Sequence, residues 1–269
     1  MSAPRHHPSP SDFPRSDRSA ESFAVCFLHG FCESPRVFSR LITELRPDFP
    51  IFTPTLPGHA GTPWHVHWNS LADAADWLRD QCMQAGWDRC VLIGHSLGGY
   101  IAAAFAQRHP DRLLGLGLLH STARSDSLPR QKYRNKALRL ITAQGTEAFR
   151  QAFLRTLFYQ PDPAWTEQLR AITAETAPEA ISALIPLMRD RLDHVAALAA
   201  LPVPISYIVG KHDKLVSAAQ TSEERMDLPQ VEWHCLANAG HMGMYEAPQE
   251  VATAIRKLLQ RAKAAYSRT

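Results

Sequence analysis

A chain of 269 residues with 45% hydrophobic side chains and a formal net charge of only +3 can bury a large core, and with no basic stripe interleaved with aromatics it makes a poor partner for nucleic acid. Its five cysteines, Cys26, Cys32, Cys82, Cys90 and Cys235, are an odd set without a C-x-x-C pair, which excludes a disulfide framework or zinc knuckle and fits reduced thiols in the cytoplasm. No stretch approaches the roughly 18 apolar residues of a membrane span, and residues 1–22, with Arg5, Arg15, Arg18 and several prolines and serines but no apolar centre, read as a disordered tail rather than a secretory signal.

Phe23 to Leu28 is an uninterrupted apolar run of strand length, as expected of a strand covered on both faces. It ends in His29-Gly30-Phe31. Ser34-Pro35 then reads as a helix N-cap with proline at the first helical position, and Val37, Phe38, Leu41, Ile42 and Leu45 give that helix its apolar face. Ile51-Phe52-Thr53 is a short strand leading into the loop from Pro54 to Pro63. Ser70 caps a helix whose buried face is Leu71, Ala74, Ala75, Leu78 and Cys82. Val91-Leu92-Ile93 is the next strand, Gly99 to Ala106 the helix after it, and Leu113 to Leu119 another strand, ending in His120-Ser121. Strands alternating with amphipathic helices are the mark of a right-handed parallel sheet.

The alternation stops between about Thr122 and Leu201. Four helical stretches are expected there, about Arg130–Ala143, Thr146–Leu157, Ala164–Thr173 and Pro178–Leu198, with Phe149, Phe153, Phe158, Tyr159 and Trp165 as their aromatic supply. Strand character returns at Ile205–Gly210 and again at Val231–Leu236, with a polar helix about Ala218–Met226 between them and a last helix from about Pro248 to Ala264. The domain reading is therefore a tail at 1–22, an α/β core at 23–121 and 202–269, and a helical cap at 122–201.

Between the Val91 strand and the Gly99 helix lies Gly94-His95-Ser96-Leu97-Gly98. This is the strand–turn–helix context in which G-x-S-x-G presents a nucleophile on a strained turn. A serine hydroxyl needs a base, and the base needs a carboxylate to fix its tautomer. On an open parallel sheet such groups belong in loops at the carboxyl ends of strands. Asp213 follows the Ile205 strand and His241 follows the Val231 strand, giving the order Ser, Asp, His along the chain. Asp111, Asp190 and Asp193 are rival carboxylates, but only Asp213 directly follows a strand.

Taken together these motifs resemble the α/β-hydrolase-fold superfamily, in its capped form, from about Phe23 to the C-terminus. His29-Gly30-Phe31 is similar to that family's oxyanion loop, Leu56-Pro57-Gly58-His59 to its proline–glycine loop, Gly210 to Asp213 to its acid loop, and Gly240-His241 to its histidine loop. The resemblance implies an oxyanion hole from the backbone N–H groups of Phe31 and Leu97, and a pocket lidded by residues 122–201. It departs in two places. Thr55 stands where the family often has aspartate, and residues 1–22 carry no pattern for an N-terminal β-hairpin, so a mostly parallel sheet of about six strands is expected.

The function expected is a carboxylesterase-like serine hydrolase acting on a small apolar ester or thioester, with no cofactor, no metal and a small molecule as its partner. Two alternatives stay open: a same-fold lyase, C–C hydrolase or perhydrolase of the menaquinone-pathway synthase kind, and a ligand receptor that retains the triad. His29, His95 and His120, with Phe153 and Trp165 from the cap, are candidate pocket residues, each also readable as packing. Trp64-His65-Val66-His67-Trp68 invites a metal reading but lacks a third ligand in a recognisable spacing. Cys32, beside the oxyanion loop, reads as packing rather than as a reactive thiol. The basic start of the cap, from Arg124 to Arg139, reads as a solvated helix face or as the entrance for a carrier-borne thioester.

Overall fold

The computed structural model describes residues 23–45 and 48–267; the expected N-terminal tail lies outside the described residues, as does the stretch where an N-terminal hairpin would stand. Among the described residues six strands form one parallel sheet: β1 (Ala24–Leu28), β2 (Ile51–Phe52), β3 (Cys90–His95), β4 (Leu113–Leu119), β5 (Ile205–Gly210) and β6 (Val231–Leu236), in the spatial order β2-β1-β3-β4-β5-β6. The order reverses direction after β2, so the chain winds first one way from β1 and then the other. The crevice at such a reversal, outside the carboxyl ends of the strands, is where α/β sheets bind ligands.

Every residue of β1, β3, β4 and β5 is buried. That is why these strands are continuous apolar runs rather than alternating ones. Helices cover both faces. A 3-10 turn at Pro35–Phe38, capped by Ser34 through its bond from the Arg36 N–H, leads into α1 (Ser39–Leu45). Helix α1 packs with the C-terminal helix Pro248–Tyr266, while α2 (Leu71–Gln84) packs with α3 (Leu97–Arg108).

Between β4 and β5 the chain forms four helices: α4 (Leu128–Leu154), α5 (Pro163–Ala174), α6 (Pro178–Arg189) and α7 (Val195–Ala199). Helix α4 is broken at Gly145, whose φ of 81° and ψ of 172° leave the helical region. The two helical segments expected on either side of that glycine are thus both present, joined at Gly145. The expected single helix over 178–198 is instead two, because residues 190–194 leave the helix: Asp190 is tied to Arg189, and Asp193 turns back to accept the Val195 N–H. After β5 come α8 (Ala218–Glu224), then β6, the short α9 (Gly243–Glu246) and α10 (Pro248–Tyr266). Among the described residues no helix is long and apolar enough to cross a membrane.

Candidate active site

The turn between β3 and α3 carries Ser96 at φ 50°, ψ −115°. A non-glycine residue there stores on the order of 1–3 kcal/mol of strain and persists only if its surroundings hold it. They do. The Ser96 N–H donates to Leu119 O at 3.0 Å, and the Ser96 carbonyl accepts from the N–H groups of Gly99 (2.9 Å) and Tyr100 (3.1 Å) and from Ser121 Oγ (2.8 Å). A Cβ on Gly94 would lie 2.3 Å from Gly98 O, one on Gly98 would lie 2.2 Å from Leu28 O, and one on Gly99 would lie 2.3 Å from Ser121 Oγ. The motif glycines are therefore spaces that backbone atoms occupy. Gly98→Ala is expected to cost about 3 kcal/mol or more, because no flexible side chain can yield. Gly61→Ala, at φ +76° with nothing within 4 Å, should cost only about 1 kcal/mol for its backbone conformation. Urea midpoints at unchanged m-value would check the pair.

Asp213 and His241 meet at the carboxyl ends of β5 and β6. His241 Nδ1 lies 2.7 Å from Asp213 Oδ2, with both side chains at most 1% exposed. The other oxygen, Asp213 Oδ1, accepts the N–H groups of Leu215 (2.8 Å) and Val216 (3.0 Å). Burial alone would raise the Asp213 carboxyl; His241 and His120 beside it, through charge and hydrogen bonding, hold it well below the usual carboxylate range. A carboxylate acceptor fixes the proton of His241 on Nδ1. His241 Nε2 is then left as an acceptor, and it is buried without a hydrogen-bond partner in the structure. Of the rival carboxylates, Asp190 pairs with Arg189 and Asp193 caps Val195.

His120, at the end of β4, contributes a second imidazole to the same carboxylate, its Nδ1 3.4 Å from Asp213 Oδ2. Its Nε2 accepts the Gly243 N–H at 3.0 Å, so its proton also sits on Nδ1, facing the aspartate. The His120, Asp213 and His241 ligand atoms lie within 4.8 Å of one another, a spacing a metal could use. The protons argue against it: His241 Nδ1–H donates to the carboxylate, two backbone amides take its other oxygen, and His120 Nδ1–H faces it at 3.4 Å without a formed hydrogen bond, so neither Nδ1 offers a lone pair. His65 and His67, by contrast, are exposed beside tryptophans that pack edge to face, Trp64 on Trp68 and Trp68 on Trp77.

Leu97 is the first residue of α3, where backbone N–H groups have no acceptor within the helix. The loop after β1 carries Phe31 and is held by two buried histidines. His29 Nδ1–H donates to Gly30 O (2.9 Å) and its Nε2 accepts the Leu56 N–H (3.0 Å); His59 Nδ1–H donates to Pro57 O (3.0 Å) and its Nε2 accepts the Cys32 N–H (3.3 Å). The two rings thus cross-tie the His-Gly-Phe loop and the Leu-Pro-Gly loop. Both nitrogens of His29 are committed to backbone, which leaves it none for a ligand. Cys32 is fully buried, and burial pushes its thiol far up, away from reactivity.

Burial lowers the pKa of His29 to about 3, and of His59 and His120 to about 4. The unfolded chain therefore binds up to three protons that the folded chain refuses between about pH 6.5 and 4, so stability is present above pH 6.5 and lost as pH falls through that window. The expected slope approaches about 4 kcal/mol per pH unit, at about 1.4 kcal/mol per proton. Urea unfolding at pH 7, 6 and 5 would measure it.

The helices after β4 bear directly on this site. The His241 N–H donates to Leu157 O at 2.8 Å, and Glu246 accepts the N–H groups of Tyr159 (2.7 Å), Gln160 (3.2 Å) and Gly240 (2.7 Å). His212 stacks on Tyr159 at 3.6 Å between ring centroids. Phe149 and Phe153 stack on each other and both press on Phe31, at 5.9 and 6.0 Å. Phe153 therefore stands beside the loop after β1. Trp165 sits farther out, against Phe158 and Tyr245. His95 is fully buried and bonds Glu33 and the His241 carbonyl. Sequence reasoning missed Phe149, Glu246 and Glu33 as parts of this site; a carboxylate following His29-Gly30-Phe31-Cys32 directly, before the Ser34-Pro35 cap, was the available signal for the last.

A family model described as the alpha/beta hydrolase family matches residues 27–254. The 2-succinyl-6-hydroxy-2,4-cyclohexadiene-1-carboxylate synthase of Enterobacter sp. (strain 638) is 28% identical over 88% of this chain and 91% of its own. The pimeloyl-[acyl-carrier protein] methyl ester esterase of Aromatoleum aromaticum (strain DSM 19018 / LMG 30748 / EbN1) is 26% identical over 88% of this chain and 98% of its own. Among solved structures, a thermophilic esterase from Thermogutta terrifontis superimposes with a TM-score of 0.82 at 27% identity, covering 90% of this chain and 91% of the other.

Proposed function

The chain belongs to the alpha/beta hydrolase family, and on that premise we propose that it is a serine hydrolase cleaving a small, rather apolar carboxylic ester through an acyl-enzyme on Ser96. The observation that carries this reading is the buried His241–Asp213 contact at 2.7 Å, with His241 Nε2 left without a partner. In the reaction, Nε2 takes the Ser96 hydroxyl proton as Oγ bonds to the ester carbonyl carbon. The resulting oxyanion rests on the N–H groups of Phe31 and Leu97, each typically worth 10²–10³ in rate. His241 then returns the proton to the departing alcohol as the C–O bond breaks. Water, deprotonated by the same nitrogen, releases the acid by the reverse of these steps.

Apolar substrate preference is supported by Phe149 and Phe153 packed over Phe31, which lines that side of the loop after β1 with aromatic rings. The test is a p-nitrophenyl ester series from acetate to octanoate. The expected result is turnover with kcat/KM highest among short acyl chains. A second reading comes from the synthase relative: the Ser96–His241 pair would remove a proton from carbon and expel a leaving group. Its substrate would carry carboxylates, and Arg191, which lies over the Tyr100 ring of the elbow helix, is already engaged by Asp126, which favours the ester. No hydrolysis of any ester in the series, by protein whose Ser96 is reactive, would turn the assignment to that second reading.

A further inference from the structure

Glu33 and His95 are a buried ionisable pair that the hydrolytic steps do not use. Glu33 is 1% exposed and His95 is fully buried, so each charge must be matched by the other or by hydrogen bonds. His95 Nε2 lies 2.9 Å from the carbonyl oxygen of His241, an acceptor only, so this nitrogen carries a proton. His95 Nδ1 lies 2.9 Å from Glu33 Oε2, and the same oxygen accepts the Gly30 N–H at 2.8 Å. One line of hydrogen bonds thus runs from the oxyanion loop, through Glu33 and the residue preceding the nucleophile, to the backbone of the histidine that faces it.

We propose that Glu33 and His95 act as a charge-assisted brace, a pair of positioning residues that holds the oxyanion loop and the His241 backbone in register with Ser96; this rests on the serine-hydrolase reading of the site. Three separate loops, after β1, β3 and β6, have to agree to within a fraction of an ångström for attack and oxyanion binding to coincide. Hydrogen bonds between ionised partners are roughly twice as strong as neutral ones, which makes them suited to fixing that agreement. Burial by itself would lower His95 and raise Glu33. Their mutual attraction reverses both, so His95 stands above and Glu33 below its ordinary value. The other titratable groups facing His95 are His241 after β6, His120 after β4, Asp213 after β5 and His29 on its own side of the oxyanion loop. Of these, Asp213 also favours the cation.

The His241 carbonyl retains the Nε2 proton, so raising the pH through the His95 pKa removes the proton on Nδ1. A bare nitrogen then faces the Glu33 carboxylate and the brace opens. The wild-type kcat should therefore fall on an alkaline limb. In Glu33→Gln the charge is lost, and because one oxygen, Oε2, takes both donors in wild type, the amide keeps either the Gly30 N–H through its oxygen or Nδ1 of a neutral His95 through its NH₂, and the line of hydrogen bonds is cut at one of the two.

The experiment compares wild type and Glu33→Gln by steady-state kinetics on one short ester from pH 6 to 10. Thermal unfolding and the extent of fluorophosphonate labelling are measured on the same samples. The expected result is a folded variant, labelled to completion, with kcat lowered about tenfold, KM within about twofold and the alkaline limb gone. A folded variant with wild-type kcat and an unchanged limb overturns the brace, as does a loss confined to KM. Should Glu33→Gln fail to fold, His95→Gln, which keeps an amide donor for the His241 carbonyl without a cation, must show the same tenfold loss, and wild-type kcat in it overturns the proposal equally. Wild-type protein that resists labelling would instead overturn the hydrolase reading itself, so the two failures are distinguishable.

Discussion

Replacing Ser96 by alanine is expected to lower kcat on a short ester by about 10⁶-fold while leaving stability within about 1 kcal/mol of wild type. The kinetic part follows from the mechanism, in which the hydroxyl forms and breaks the covalent bond. Removal of a triad nucleophile leaves only the residual catalysis of binding and oxyanion contacts. The stability part follows from the turn. Its restraint comes from the Ser96 backbone, through Leu119 O, the Gly99 and Tyr100 amides and Ser121 Oγ, and none of these contacts uses the Ser96 hydroxyl. Alanine takes the positive φ at about the cost serine does. Parallel kcat and urea-denaturation measurements would separate chemistry from folding.

Asp213→Asn is expected to lower kcat about 10⁴-fold, the size seen when a triad imidazole is held in the wrong tautomer, and to destabilise the fold by about 1–3 kcal/mol. The direction is set by the surroundings of the carboxylate. The N–H groups of Leu215 and Val216 both point at Oδ1, so an asparagine must place its oxygen there and turn its NH₂ toward the histidines. That NH₂ donates to His241 Nδ1 and forces the proton onto Nε2, where it can no longer receive the serine proton. It also confronts His120 Nδ1–H, whose other nitrogen is held by the Gly243 N–H. His120 cannot change tautomer without opposing one donor with another. The pH profile of kcat and the urea midpoint of this variant check the two effects separately.

Much of this arrangement is legible along the chain because it depends on local rules. The strands are buried on both faces and so read as continuous apolar runs, and Gly94-His95-Ser96-Leu97-Gly98 stands between a strand and a helix. Asp213 and His241 each follow a strand directly, which is where an open parallel sheet gathers its reactive groups. What was not legible is what long-range packing decides. Nothing near Glu33 in sequence shows that its partner lies 62 residues away. Phe149 and Phe153 share helical spacing that serves a helix core and a pocket wall equally well, and their contact with Phe31 is made across more than a hundred residues of chain. The helix expected over 178–198 ends at Arg189, and Asp193 four residues on accepts the Val195 N–H at the start of the next helix, a side-chain bond to backbone that periodicity does not register. His120 reads as a strand-end histidine; only the Gly243 amide, 123 residues away, shows that its Nδ1–H is the nitrogen turned toward the aspartate.

The central claim, that Ser96 is an activated nucleophile, is tested most directly by the intact mass of the protein after exposure to a fluorophosphonate. The account predicts one adduct per chain in wild type, none in Ser96→Ala, and slow labelling in Asp213→Asn. An adduct that persists in Ser96→Ala, or a wild-type protein that stays unlabelled while folded, would contradict it.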